Sequence, residues 1–162
     1  GDSDQERAQR ELARGWKAAG RVDRVGLWTW DGKDLDRLAE GHPFDFVVKP
    51  NNVTVTSSAG AFESARKRGL ETIAVSPFVR GWTLDDMVSK ATAREGGDEA
   101  FTRARLAGLM LRFALYHPAS IDRLVVSMRR ASWIRPNLDS VQAGPLSPDE
   151  KKRLLSLAGL KA

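Results

Sequence analysis

The chain has 162 residues, of which 41% are hydrophobic and 29% charged, with a net charge of +5. That length suffices for a single domain, residues 1–162, with a real core, and the composition is ordinary for a soluble globular protein. With no cysteine and only His42 and His117, disulfide, thiol and thiolate-metal chemistry are excluded and no histidine metal site is expected.

The first element in chain order is a helix over 4–19, where Ala8, Leu12, Trp16 and Ala19 recur at helical spacing and Gly20 suits its end. Residues 22–30 ("VDRVGLWTW") read as a strand rich in Val and Trp. Asp31 is placed to cap a short helix over 32–40, and Gly41-His42-Pro43 breaks it. The second strand is "FDFVVKP" (44–50). Ser57 or Ser58 caps a helix over 59–69, and "ETIAVSPF" (71–78) is the third strand. Thr83 caps a helix over 83–95, which Gly96-Gly97 ends. Residues 98–117 form a strong amphipathic helix with Leu106, Leu109, Met110 and Phe113 on one stripe, read as core. "DRLVVSM" (122–128) is the fourth strand, and helices over 130–144 and 147–160 close the chain, Pro136 sitting in the first turns of the former.

Four strands alternating with helices predict an α/β fold of parallel βα units with helices outside the sheet. The strands are apolar on nearly every residue, which predicts burial of both faces. No apolar run approaches the ~20 residues that cross a bilayer, so no membrane partner is expected. The basic residues are interleaved with Asp and Glu and form no basic block with aromatic partners, so no nucleic-acid partner is expected.

In parallel α/β folds, ligands bind beyond the C-terminal ends of the strands. That rule selects Trp28 to Asp31, Lys49 to Asn52, Ser76 to Gly81, and Ser127 to Arg130. Backbone amides after the third strand and at the helix start after Met128 suit a pyrophosphate, and Arg129 or Arg130 suits a forked phosphate contact. The alternative is that both arginines pair with nearby carboxylates.

The blocks "FDFVVKPNNV", "GLETIAVSPFVRGW" and the run from "RARLAGLMLRFALYH" to "NLDSVQAGPLSPDE" resemble the C-terminal half of aldo/keto reductases. The resemblance covers residues 5–150 and implies four of the eight units of a TIM barrel, with extra terminal helices. The activity it implies is NADP(H)-dependent carbonyl reduction. Ser76, Phe78 and Arg80 match the loop that wraps the cofactor pyrophosphate. Met128, Arg129 and Arg130 match the region near the adenosine phosphate, and Asn137 matches an adenine contact. Trp28, Thr29 and Val48 stand where the family holds the nicotinamide carboxamide with a Ser, an Asn and a Gln; none is the usual residue, although Thr29 can still donate or accept. Val75 replaces a stacking aromatic, Ser127 a glycine and Asn51 a tyrosine, while Asn52 is kept.

The nicotinamide end is therefore eroded, which leaves open that this chain binds no cofactor. The resemblance implies that the catalytic Tyr, Lys, Asp and His precede this chain, so no catalytic residue is assigned. Tyr116, His117 and His42 are read as structural. A half-barrel exposes two strand edges and an apolar interior. The expected remedies are a missing N-terminal barrel half, a homo-oligomer, or terminal helices folded over the open face. The alternative function is a non-catalytic scaffold or interaction domain of the same ancestry. The leading Gly1 leaves room for an upstream segment, no signal peptide is evident, and the cytoplasm is the favoured compartment.

Overall fold

A computed structural model describes residues 3–30, 32–38, 40–55, 58–95, 102–117 and 121–160. The apolar runs become one sheet: β1 (Gly26–Trp28), β2 (Phe46–Pro50), β3 (Glu71–Val75) and β4 (Arg123–Leu124), in that order, all parallel. The register aligns Gly26, Phe46 and Glu71 on one level and, two residues on, Trp28, Val48, Ile73 and Arg123. Between and after the strands come α2 (Lys33–Asp36), α3 (Ser58–Lys67), α4 (Gly81–Glu95), α5 (Arg103–Tyr116), a 3₁₀ turn (Ala131–Trp133), α6 (Ile134–Gln142) and α7 (Pro148–Leu157). Helix α1 (Asp4–Ala18) precedes them all. The α/β alternation and the four parallel units are as expected.

The helix starts follow local chemistry. Ser3 and Ser147 each accept the amide of the glutamate three residues on, and Glu6 and Glu150 accept the serine amides in return. Each such box satisfies two amides that the first turn leaves without partners. Of the expected caps on described residues, Thr83 and Ser58 differ. Helix α4 starts at Gly81, so Thr83 lies inside it, its amide bonded to the Arg80 carbonyl. Ser58 is a buried member of α3 whose hydroxyl donates to the Pro50 carbonyl. Gly32, at φ 83°, precedes α2; Asp31 and Ser57 lie outside the described residues. So do residues 96–101, where the long helix was expected to begin; α5 starts at Arg103 behind Thr102, whose hydroxyl accepts the Arg105 amide. Pro136 falls in the first turn of α6, where its missing N–H costs no helical bond.

One face of the sheet packs under α2 and α3, with Val47 and Ala74 against Leu35, Phe62 and Ala65. A second cluster joins α4, α5 and α7 through Met87, Leu106, Met110, Phe113 and Leu154, so the expected stripe on α5 is core. Full burial of each such side chain contributes roughly 1.5–3 kcal/mol. The other face departs from the expected burial. Trp28 is 48% and Val125 56% exposed, and Val48, Ile73 and Val75 are half-buried. The terminal helices do not fold over it: α6 and α7 pack on α5. Lys17 of α1 donates to Asp45 and to the Pro43 carbonyl, which holds that helix beside the entry to β2. Within the described sheet, β1 pairs only with β2 and β4 only with β3, so both outer edges are open.

Candidate functional site

The chain leaves β3 through an abrupt turn in which Ser76 and Val79 both adopt φ of 58°. That region is rare for a serine and an outlier for a β-branched valine, and such strain costs on the order of 1–3 kcal/mol per residue. The surroundings hold the turn. The Val79 amide donates to the Ser76 carbonyl at 3.1 Å, and the Asn52 side-chain amide donates to the same carbonyl at 3.0 Å. Asn52 is itself buried, its Oδ1 accepting the Thr54 amide and hydroxyl. Phe78 and Val79 pack against the α4–α5–α7 core, anchoring the loop from below.

Between this loop and the segment after β4 lies a cleft of about 840 Å³, within the ordinary size range of small-ligand sites. Ser76, Phe78 and Arg80 line one wall, and Gly81, at the start of α4, continues it. Arg129, Trp133 and Asn137 line the opposite wall, and Ala104 and Ala107 of α5 lie between. The opposite wall comes close because α5 has a glycine where α6 crosses it. A Cβ on Gly108 would stand 2.5 Å from the Ser140 hydroxyl. Three arginines, Arg80, Arg103 and Arg129, reach this cleft, and no carboxylate is among its described lining residues. Arg103 pairs with Asp85 at 2.9 Å outside it. Helix α4 also presents its positive N-terminal end here, so the cleft suits an anion.

Five of the eight sequence-derived site residues thus converge: Ser76, Phe78, Arg80, Arg129 and Asn137. Thr29, Met128 and Arg130 do not line the cleft. Thr29 is buried two strands away, its hydroxyl accepting the Gly32 amide at 3.0 Å. Met128 is 40% exposed. Arg130 places its guanidinium over the Trp133 ring, 5.5 Å from the centroid. Arg103 and Trp133 are cleft residues that the sequence reading missed. Arg103 reads as one more solvated helix charge, and Trp133 lies just inside the start of a closing helix.

Behind the site, Asn51 donates to the carbonyls of Ala114 and His117, tying the end of β2 to the end of α5. Tyr116 donates to the Val141 carbonyl at 3.1 Å, joining α5 to α6 in the outer layer. Burial, and then the charge of Lys151, hold His117 below the usual histidine range. Buried Lys49 points to the helix side of the sheet and donates to the Trp30 carbonyl, fixing the loop after β1.

No protein-family profile and no curated protein sequence matches this chain. Solved structures do match in fold, among them two forms of one enzyme. The holo form of the aldo-keto reductase AKR11C1 from Bacillus halodurans aligns over 91% of this chain with a TM-score of 0.61 and 14% identity. Its apo form aligns over 96%, with a TM-score of 0.63 and 14% identity. This chain spans only 54% and 57% of those two chains, so the shared fold is that of part of an aldo-keto reductase barrel.

Proposed function

We infer that this chain is the cofactor-binding half of an NADP(H)-dependent oxidoreductase of the aldo/keto reductase type. A second half-barrel outside these residues supplies the proton-donating tyrosine and the Lys, Asp and His around it. The supporting observation is the arginine-lined cleft at the C-terminal ends of β3 and β4, with no carboxylate among its described lining residues. Its donors suit a dinucleotide phosphate. The Ser76–Arg80 loop and the first amides of α4 would hold the pyrophosphate, and Arg129 would take the adenosine phosphate through a forked contact. Asn137 offers both a donor and an acceptor to an adenine edge. The nicotinamide, when bound, supplies the hydride. This chain supplies position and charge.

The test is a titration of the purified chain with NADPH, followed by cofactor fluorescence. Arg129→Ala is expected to weaken binding at least tenfold, about 1.4 kcal/mol. Arg130→Ala, altered outside the cleft, is expected to bind close to wild type. A wild-type chain that does not saturate at millimolar NADPH sinks the cofactor reading. The second reading, a scaffold that has lost its catalytic half, would then lead; the half-exposed sheet face favours it.

A further inference from the structure

We propose that the open face of the sheet docks an acidic half-barrel rather than a second copy of this chain. The partner is a four-stranded βα unit whose inward-facing residues carry at least one net negative charge near the N-terminal ends of its strands. This rests on the half-barrel reading above but not on nucleotide binding, so the two fail separately.

The charge on that face is unbalanced. Phe46 and Glu71 are in register on it, and Arg123 shares the level of Ile73. Arg24 ion-pairs with Glu71 Oε2 and lies over the Phe46 ring, 5.3 Å from its centroid. Arg123 Nε bonds the other oxygen of the same carboxylate. On this face one carboxylate therefore serves two guanidinium groups; Asp45 and Asp122, whose charges Arg24 and Arg123 also reach, are already paired with Lys17 and Arg66. Glu71 is already shielded, its side chain 18% exposed, whereas Arg24 and Arg123 are 44% and 66% exposed. Toward the other end of the strands, Trp28, Val48, Ile73, Val75 and Val125 form an apolar surface on the same face.

A closing partner seals both regions from water. Two copies facing each other would enclose four guanidinium groups and two carboxylates. An unpaired charge withdrawn from water is strongly unfavourable unless a counter-charge comes with it. A partner with an inward carboxylate provides that counter-charge, and its strands also pair the open edges of β1 and β4. The size is consistent, because this chain accounts for only 54% and 57% of the barrels it matches.

The experiment measures mass in solution by light scattering, with folding checked by circular dichroism. The surrogate acidic half is this same chain carrying Arg24→Glu, Glu71→Arg and Arg123→Glu, which keeps both internal ion pairs and inverts the surplus. Wild type and inverted chain are each expected to be monomers alone and to form a 1:1 complex of doubled mass when mixed. Wild type that assembles with itself makes a second copy the occupant and overturns the proposal. So does a folded inverted chain that leaves the mixture monomeric. Where the inverted chain does not fold, Arg123→Met decides, since it removes the surplus and keeps the Arg24–Glu71 pair. It is expected to dimerise at a concentration at least tenfold below wild type. Arg135→Met, on exposed α6, is the control. Arg123→Met behaving like wild type, or like that control, overturns the proposal.

Discussion

Asn52 stands 3% exposed just past β2, and its carboxamide fixes two segments at once. The nitrogen donates to the Ser76 carbonyl, and the oxygen accepts from the amide and hydroxyl of Thr54. The left-handed turn at Ser76 and Val79 persists only because surrounding bonds of this kind over-determine it. Asn52→Ala removes all three bonds and leaves the Ser76 carbonyl with the Val79 amide alone. Net losses for such buried groups run to about 1–3 kcal/mol. We expect a fall of roughly 2 kcal/mol in urea unfolding followed by circular dichroism. NADPH affinity should fall further than in Arg130→Ala, although Asn52 does not line the cleft. An unchanged unfolding midpoint would show that the turn holds without it. Asn52→Asp keeps the acceptor for Thr54 but places a carboxylate against a carbonyl, so it should not restore wild-type stability.

Helix α7 reaches the cleft only through its neighbours. Its Leu154, fully buried, packs with Met87 of α4 and with Leu106 and Met110 of α5, the helices that form the cleft's wall and base. Arg112 of α5 ties the helix start, bonding both Glu150 oxygens and the Gly144 and Pro145 carbonyls. Leu154→Ala should therefore cost about 3 kcal/mol, the middle of the range for buried leucine truncations. A thermal melt checks the loss, while nucleotide affinity per folded molecule should stay near wild type. Helices such as α7 were legible because 3.6-residue periodicity and serine caps are local signals. Strand lengths were not, because a ladder needs a neighbour. Residues 122–128 read as one strand, yet only Arg123 and Leu124 pair fully. Val125 adds one bond to Ala74, and no strand follows on the far side within the described sheet. Likewise 22–30 shortens to Gly26–Trp28 at the opposite edge and 71–78 to Glu71–Val75. The cleft was legible where chain order alone brings strand ends together, as at Ser76, Arg80 and Arg129. Thr29 shows the limit: its small polar side chain fits a ligand contact or a buried turn equally well, and only the packing around Gly32 selects the turn.

Across the molecule, four carboxylates with lowered pKa join parts far apart in sequence: Glu71, which Arg24 and Arg123 share, and Asp45, Asp122 and Glu150. For Asp45, burial opposes ionisation, but the Lys17 ammonium, at 2.7 and 2.9 Å, and the Val25 amide outweigh it. That carboxylate fastens α1 to the sheet. Asp122 is held low chiefly by the Thr72 hydroxyl at 2.7 Å, and also by its amide and by Arg66, clamping the start of β4 to β3. Glu150 is held low first by Arg112, and then by the Ser147 amide. The sign follows from proton binding. Each folded pKa lies below its unfolded value of roughly 4, so acid drives protons preferentially onto the unfolded chain. The stabilisation is complete above that range and is lost as pH falls through about 4 toward the lower folded values. The Asp122 and Glu150 side chains are 41% and 38% exposed, so solvent screening limits each of these two pairs to about 1 kcal/mol or less. We expect the urea midpoint to decline slightly once pH falls below about 6.5, where the unfolded chain protonates His117 more readily than the folded one, and to drop more steeply below about 4. Asp122→Asn should be less stable than wild type at neutral pH and should lose less on acidification, so the two curves converge. In wild type, the Val125 amide, bonded to Ala74, should lose exchange protection in acid before the Val48 carbonyl releases the Thr29 amide on the far side of the sheet. The order follows from the ladders: acid loosens a carboxylate clamp at the start of each edge strand, Asp122 for β4 and Asp45 for β1, but β4 then has only a two-residue ladder to hold it whereas β1 has three. Parallel curves for wild type and Asp122→Asn, with equal exchange at both amides, would assign the acid response to some other group.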